Sequence, residues 1–143
     1  MNKKIKLGIL GGGGDSLIGV LHRVAANMFD KYEIIGGVFN PNIEENIEFA
    51  KKIGLNTSRI YKDFETLIEE ESKLGSDERI QGVSVLTPNF LHYPMAKKLL
   101  ENDFHVICEK PLTTTYDEAL DLYKIKKEKN AVFAVTHTYT GYP

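Results

Sequence analysis

Two rhythms of apolar residues alternate along this chain. The first is a short, nearly unbroken apolar run, and the second returns to an apolar side chain every three or four positions. Ile5 to Leu10 is almost wholly apolar, as a parallel strand buried on both faces requires. Leu17, Leu21, Val24, Ala25 and Met28 then recur at helical spacing. Tyr32 to Phe39 predicts a second strand that ends at Asn40-Pro41, and Asn42 with Glu45 forms a capping-box-like start to a helix reaching Lys52. Gly54 stops that helix, and Arg59-Ile60-Tyr61 reads as a short third strand. Asp63 caps the next helix, whose Glu69-Glu70-Glu71 run reads as a solvated face. The alternation then repeats with a strand from Ile80 to Leu86 and a helix through Ala96 and Leu99 that carries Pro94 in its first turn. A strand from Phe104 to Cys108 follows, then a helix from Tyr116 to Lys129 with a Thr115/Glu118 capping box, and a last strand from Ala131 to Thr136. Strands alternating with helices predict an α/β fold: a doubly wound parallel sheet of about six strands, order 3-2-1-4-5-6, with right-handed crossovers. No internal repeat, low-complexity tract or linker divides the 143 residues, so one domain is expected.

The first strand runs into four consecutive glycines, Gly11 to Gly14, and a helix leaves them. In a doubly wound sheet this turn holds a diphosphate, because unpaired amides and the partial positive charge of the helix start attract phosphate and side chains would block its approach. A literal G-x-G-x-x-G is missing, since Ser16 stands where the third glycine belongs. Gly11 and Gly13 supply the first two, and Gly19 the third, after a loop about three residues longer than usual. Asp15 should point away from a diphosphate, whereas Ser16 can donate to it. The bland alternative is a glycine turn that merely joins strand to helix.

Ligands of open α/β sheets sit beyond the carboxyl ends of the strands. Those ends carry the glycine loop, Asn40, Thr87-Pro88-Asn89 and Glu109-Lys110-Pro111. Asn40 stands where an acid commonly accepts the ribose 2′-hydroxyl. It can accept a hydrogen bond without repelling a 2′-phosphate, so NAD and NADP both stay open. The formal net charge of -2 gives no reason to expect nucleic acid or an anionic membrane. No apolar run approaches the ~20 residues that cross a bilayer, and Met1-Asn2-Lys3-Lys4 does not read as a secretory leader. A single cysteine cannot form an internal disulfide, which makes a cytoplasmic location the expectation.

The glycine loop with Gly19-Val20-Leu21-His22, the segment Thr87-Pro88-Asn89-Phe90-Leu91-His92, and His105-Val106-Ile107-Cys108-Glu109-Lys110-Pro111-Leu112 together resemble the Gfo/Idh/MocA oxidoreductases. The resemblance covers essentially the whole chain and implies an N-terminal NAD(P)-binding Rossmann domain. It further implies that Lys110 lies by the nicotinamide ribose and substrate, that Glu109 and Pro111 shape its turn, and that Thr87, Pro88, Asn89 and His92 line the cofactor cleft. The family often has an asparagine where Thr138 stands. Its acid/base residue belongs to a C-terminal substrate and dimerisation domain with no counterpart before Gly141-Tyr142-Pro143, so the expectation is a cofactor half that is catalytically incomplete by itself. A homo-oligomer is expected from the surface such a domain would cover.

Lys110 is the candidate catalytic residue, since a cation there can orient a substrate hydroxyl as hydride leaves for nicotinamide. Cys108 closes an apolar strand and reads as packing. His22, His92, His105 and His137 lack metal-ligand spacing, and no metal is expected. The run Lys124, Lys126, Lys127 and Lys129 suits a helix C-terminus. The resulting expectation is an NAD(P)-dependent dehydrogenase domain for a sugar, inositol or polyol. The alternative is a non-catalytic nucleotide-binding or redox-sensing module, which would need the glycine loop but not Lys110.

Overall fold

The computed structural model describes residues 3–141. Met1-Asn2 and Tyr142-Pro143, on which the readings of the chain's two ends bear, lie outside them. Strands β1 (Ile5–Gly11), β2 (Tyr32–Val38), β3 (Gly82–Leu86), β4 (His105–Glu109) and β5 (Phe133–Thr136) form one parallel sheet in the order β2-β1-β3-β4-β5. This is the expected doubly wound order with its outermost strand reduced. Thr57–Arg59 forms a 3-10 turn instead, and only Ile60 bridges to Gly37 beside β2. Two neighbours explain the loss. Asn56 caps the turn through Ser58's amide, and the Arg59 side chain reaches away to Glu71.

Helices α1 (Leu17–Met28), α2 (Ile43–Lys52), α3 (Phe64–Ser72), α4 (His92–Glu101) and α5 (Tyr116–Glu128) connect the strands. Side chains alternate across the sheet, so Leu10, Val83, Val85, Val106 and Cys108 join a large core with α3, α4 and α5. Ile9 faces the other way, packing with Phe39, Ala50 and Ile60. Asp63 and Thr115 cap α3 and α5 as their sequences foretell, and the Thr115/Glu118 capping box is complete. Pro94 sits in the first turn of α4, where its missing N–H costs no helical bond. None of the described helices is long and apolar enough to cross a membrane.

The Glu69-Glu70-Glu71 run departs from the solvated face it was expected to be. Glu69 and Glu70 are exposed and pair with Lys73, but Glu71 is fully buried. Its carboxylate accepts from Arg59 Nε at 3.0 Å, from Arg59 NH2, from the Tyr61 hydroxyl and from the Ile80 amide at 2.7 Å. Helical geometry turns the third acid of the run inward, where it fastens α3 to the segment before it through Arg59 and Tyr61 and to the segment after it through Ile80.

Candidate functional site

The sheet order reverses between β1 and β3, which are neighbours although β2 intervenes in sequence. Gly11 pairs with Leu86 and Val85 with Cys108, so the ends of β1, β3 and β4 come level along one edge. At the ordinary strand spacing, the Glu109-Lys110 turn stands about 10 Å along that edge from the glycine loop. Such a switch point is where a doubly wound sheet opens a crevice for ligand.

The glycine loop lets the start of α1 pack directly against the end of β1. A Cβ built on Gly19 would lie 1.8 Å from the Gly12 carbonyl oxygen, so only glycine lets α1 start this close to the end of β1. Gly13 donates its amide to the Phe39 carbonyl at 3.2 Å, tying the loop to the end of β2. Ser16 is the N-cap of α1. Its Oγ accepts from the Gly19 amide at 3.2 Å, and its carbonyl accepts from Val20. The Leu17 and Ile18 amides of the first turn meet no acceptor among the described residues, and the Ser16 hydroxyl keeps its proton to donate. Gly11, Gly12 and Gly14 take positive φ and bend the chain around this point. Arg23, one turn further along α1, donates from NH1 to the Gly12 carbonyl at 2.8 Å and braces the loop from behind.

A cavity of about 410 Å³ opens beside the loop. Gly11, Gly12, Asn40, Pro41, Thr87 and Pro88 line it together with the apolar Leu10, Val38, Leu86 and Met95. An apolar slot with a polar rim at a strand switch point suits an adenosine. Asn40 sits at the rim with both ends of its amide engaged: Oδ1 accepts from the Asn42 amide at 2.8 Å, and Nδ2 donates to Glu45 Oε2 at 2.7 Å. The capping box expected from Asn42 and Glu45 is therefore only half formed, because Asn42 caps α2 while Glu45 turns to Asn40.

Asn89 is exposed and opens the 3-10 turn after β3. His92 differs from the expectation that it lines the cleft. It is almost wholly buried, with Nδ1 at 2.8 Å from the Pro111 carbonyl and Nε2 at 2.8 Å from the Thr87 carbonyl. It thus bridges the turns after β3 and β4 from beneath. The cause is the short 3-10 turn Asn89–Leu91, which rotates the next residue inward at the start of α4.

Lys110 is exposed and has no ion-pair partner among the described residues. Directly behind it, the Glu109 carboxylate is nearly buried. Oε1 accepts from the Thr136 hydroxyl at 2.6 Å and faces His22 Nε2 at 2.9 Å, and Oε2 accepts from the Lys110 amide at 3.2 Å. Burial pushes this carboxyl upward, but the bonds from Thr136, His22 and Lys110 outweigh it and hold the group below its usual value. The sequence alone gives His22 no role in this site, although it closes the segment Gly19-Val20-Leu21-His22 that carries part of the family resemblance. The available signal was its place one helical turn after Gly19, which sets it over the sheet edge. Burial pushes the Cys108 thiol up to about 12, as a packing cysteine requires. His105 accepts from the Val132 amide through Nδ1, and His137 is exposed past β5. No group of three or more His, Cys, Asp or Glu suited to a metal is found among the described residues.

The opposite side of the sheet holds a second cavity of about 460 Å³, between α1 and the uncovered surface of β3, β4 and β5. Ile18, Leu21, Ser84, Ile107, Thr136 and Thr138 line it. Val24, Met28 and Phe29 expose more than half their surface nearby.

Comparison with known proteins agrees with this fold. A family model for the GFO_IDH_MocA proteins, described as "Oxidoreductase family, NAD-binding Rossmann fold", matches residues 5–137. An uncharacterized oxidoreductase of Bacillus subtilis is 32% identical over 142 residues, which is 99% of this chain and 36% of that protein. A scyllo-inositol 2-dehydrogenase (NADP(+)) of the same organism is 29% identical over 135 residues, covering 93% of this chain and 33% of its own length. Among solved structures, an inositol dehydrogenase homolog from Azotobacter vinelandii complexed with NADH and myo-inositol superposes with a TM-score of 0.91 at 37% identity, over 97% of this chain and 36% of that one. The chain spans about a third of the length of each of these relatives.

Proposed function

The chain belongs to the Gfo/Idh/MocA oxidoreductases as their NAD-binding Rossmann domain, and from that premise we propose that it is the cofactor half of a dehydrogenase acting on a sugar, an inositol or a related polyol. The observation that carries the reading is the level register of β1, β3 and β4, which sets the glycine loop and the unpaired Lys110 ammonium on one edge of the sheet. In this reading the Leu17 and Ile18 amides and the Ser16 hydroxyl hold the diphosphate, and Gly12 and Gly19 let the helix start approach the end of β1 closely enough to present them. The slot between Asn40 and Thr87-Pro88 takes the adenosine. Bound nicotinamide supplies a hydride acceptor or donor, and every other contribution comes from the chain.

Lys110 orients the substrate hydroxyl and favours its alkoxide-like form as the carbinol hydrogen departs. Glu109 does not touch substrate. It is a positioning residue, anchored to α1 through His22 and to β5 through Thr136, that fixes the backbone from which Lys110 projects. The acid/base that carries the hydroxyl proton lies, in this reading, in a C-terminal substrate domain of the full-length parent. The exposed groove between α1 and the sheet is the surface such a domain would cover, and the isolated chain is expected to self-associate through it.

The test uses a full-length parent carrying this domain. Lys110→Ala should lower kcat by about 100-fold or more with inositols and simple sugars, while NADH affinity stays within about threefold. Unchanged turnover would remove the lysine from the mechanism, whereas a parent that binds NADH but oxidises no polyol would favour a sensing module.

A further inference from the structure

The structure carries an inference about which dinucleotide the rim of the adenosine slot accepts. It rests on the cofactor-site reading above and turns on Glu45, to which that reading gave no role. The end of β2 normally presents an acid to the ribose diol, and here the sequence has Asn40. The Asn40 amide is not free to turn. Its Oδ1 is held by the Asn42 amide and its Nδ2 by Glu45 Oε2. One Glu45 carboxylate oxygen is thus fixed 2.7 Å from a side chain that lines the slot. The negative charge missing at the strand end returns from the first turn of α2, one hydrogen bond behind Asn40.

A 2′-phosphate would need donors here, and the structure has already committed the nearest ones. The Asn42 amide goes to Asn40, and the Glu44 and Glu45 amides both go to Asn42 Oδ1 at 2.9 and 3.2 Å. The N-terminal end of α2 therefore offers little to an anion, and Glu44 and Glu45 further oppose one. Among the described residues, Lys62 is the one cation lining the slot. It lies 3.9 Å from Asp63, and Glu65 lines the same wall, so the charge on that side also sums to negative.

We propose that Glu45, held in place by Asn40, accepts the 2′-hydroxyl of the adenosine ribose and excludes a 2′-phosphate, making the domain selective for NAD(H) over NADP(H). A hydroxyl donates to the carboxylate. A phosphate in its place has no proton suited to donate and brings like charge to within a few ångströms.

The experiment titrates the chain with NADH and with NADPH by calorimetry, for the wild type and for Glu45→Gln. The glutamine keeps an acceptor for Asn40 Nδ2 but carries no charge. The wild type should bind NADH at least about tenfold more tightly than NADPH, and E45Q should narrow that ratio by about fivefold or more, mainly by improving NADPH. High salt should narrow the wild-type ratio but leave that of E45Q nearly unchanged. Because Glu45 is exposed, the variant should keep the wild-type melting temperature, so lost folding cannot imitate the result. Equal affinities in the wild type would overturn the proposal, and so would a ratio that E45Q leaves untouched. Binding of neither dinucleotide would instead refute the cofactor-site reading underneath. Failure of polyol oxidation in a full-length parent would not affect either affinity.

Discussion

Replacing Gly19 with alanine tests the central geometry directly. The added methyl would sit 1.8 Å from the Gly12 carbonyl oxygen, 2.6 Å from its carbon and 2.8 Å from its Cα. All three atoms are backbone, so no side chain can swing aside. A tolerable contact needs about 3.2 Å, and the start of α1 must therefore move away from the β1 turn by more than about 1 Å. Forced overpacking of this kind costs about 1–3 kcal/mol, which for a domain of this size lowers the melting temperature by several degrees. The larger effect should fall on ligand. The Leu17 and Ile18 amides move with the helix, and hydrogen bonds to a charged group are worth about 1.5–3 kcal/mol each. Losing one or two of them weakens NADH by about 10- to 10,000-fold, at 1.4 kcal/mol per decade. Calorimetric titration with NADH and thermal melting by circular dichroism give both numbers. Gly75→Ala, where the methyl meets nothing within 4 Å, is the control and should change neither. If G19A bound NADH within about threefold of the wild type and melted at the same temperature, neither the close approach of α1 nor the diphosphate role of its first turn could stand.

Three further outcomes follow from buried groups. Glu71→Ala strips the buried acceptor from Arg59, Tyr61 and the Ile80 amide, and should destabilise the fold by about 3–5 kcal/mol in urea unfolding; a change under about 1 kcal/mol would mean that water replaces the carboxylate at no cost. Glu109 is held below its ordinary carboxyl value of 4.5 in the folded chain, so its contribution is present above that pH and is lost as pH falls through the lower folded value. Unfolding free energy measured between about pH 6 and pH 3 should therefore fall more steeply for the wild type than for Glu109→Gln, and parallel profiles would refute the assignment. The Cys108 thiol, buried and pushed up to about 12, should resist an aromatic disulfide reagent at pH 8 in the native chain and react at once in denaturant. Fast labelling of the native protein would show that β4 opens readily.

The sequence by itself determined the alternation of elements, the parallel sheet and the positions of most helix starts, because these depend on local periodicity and capping that neighbours in the chain supply. It also marked the strand ends where chemistry gathers, since glycines, Asn40, Thr87 and Lys110 interrupt apolar runs there. Only the tertiary structure decided what those residues face. His92 could be read as lining the cleft because its position after a strand end was visible, while the two carbonyls that hold it come from Thr87 and from distant Pro111. Glu71 looked like part of a solvated acidic run because its partners, Arg59 and Ile80, belong to segments on either side of α3. The third strand vanished as a strand because Arg59 was drawn into that same buried pair. The bonds Asn40–Glu45 and His22–Glu109 were equally hidden, since one depends on a side chain leaving its cap and the other joins residues 87 positions apart. Local pattern fixes which backbone forms. Which polar groups meet is settled by packing, because a buried donor or acceptor must find its partner wherever the fold brings one within reach.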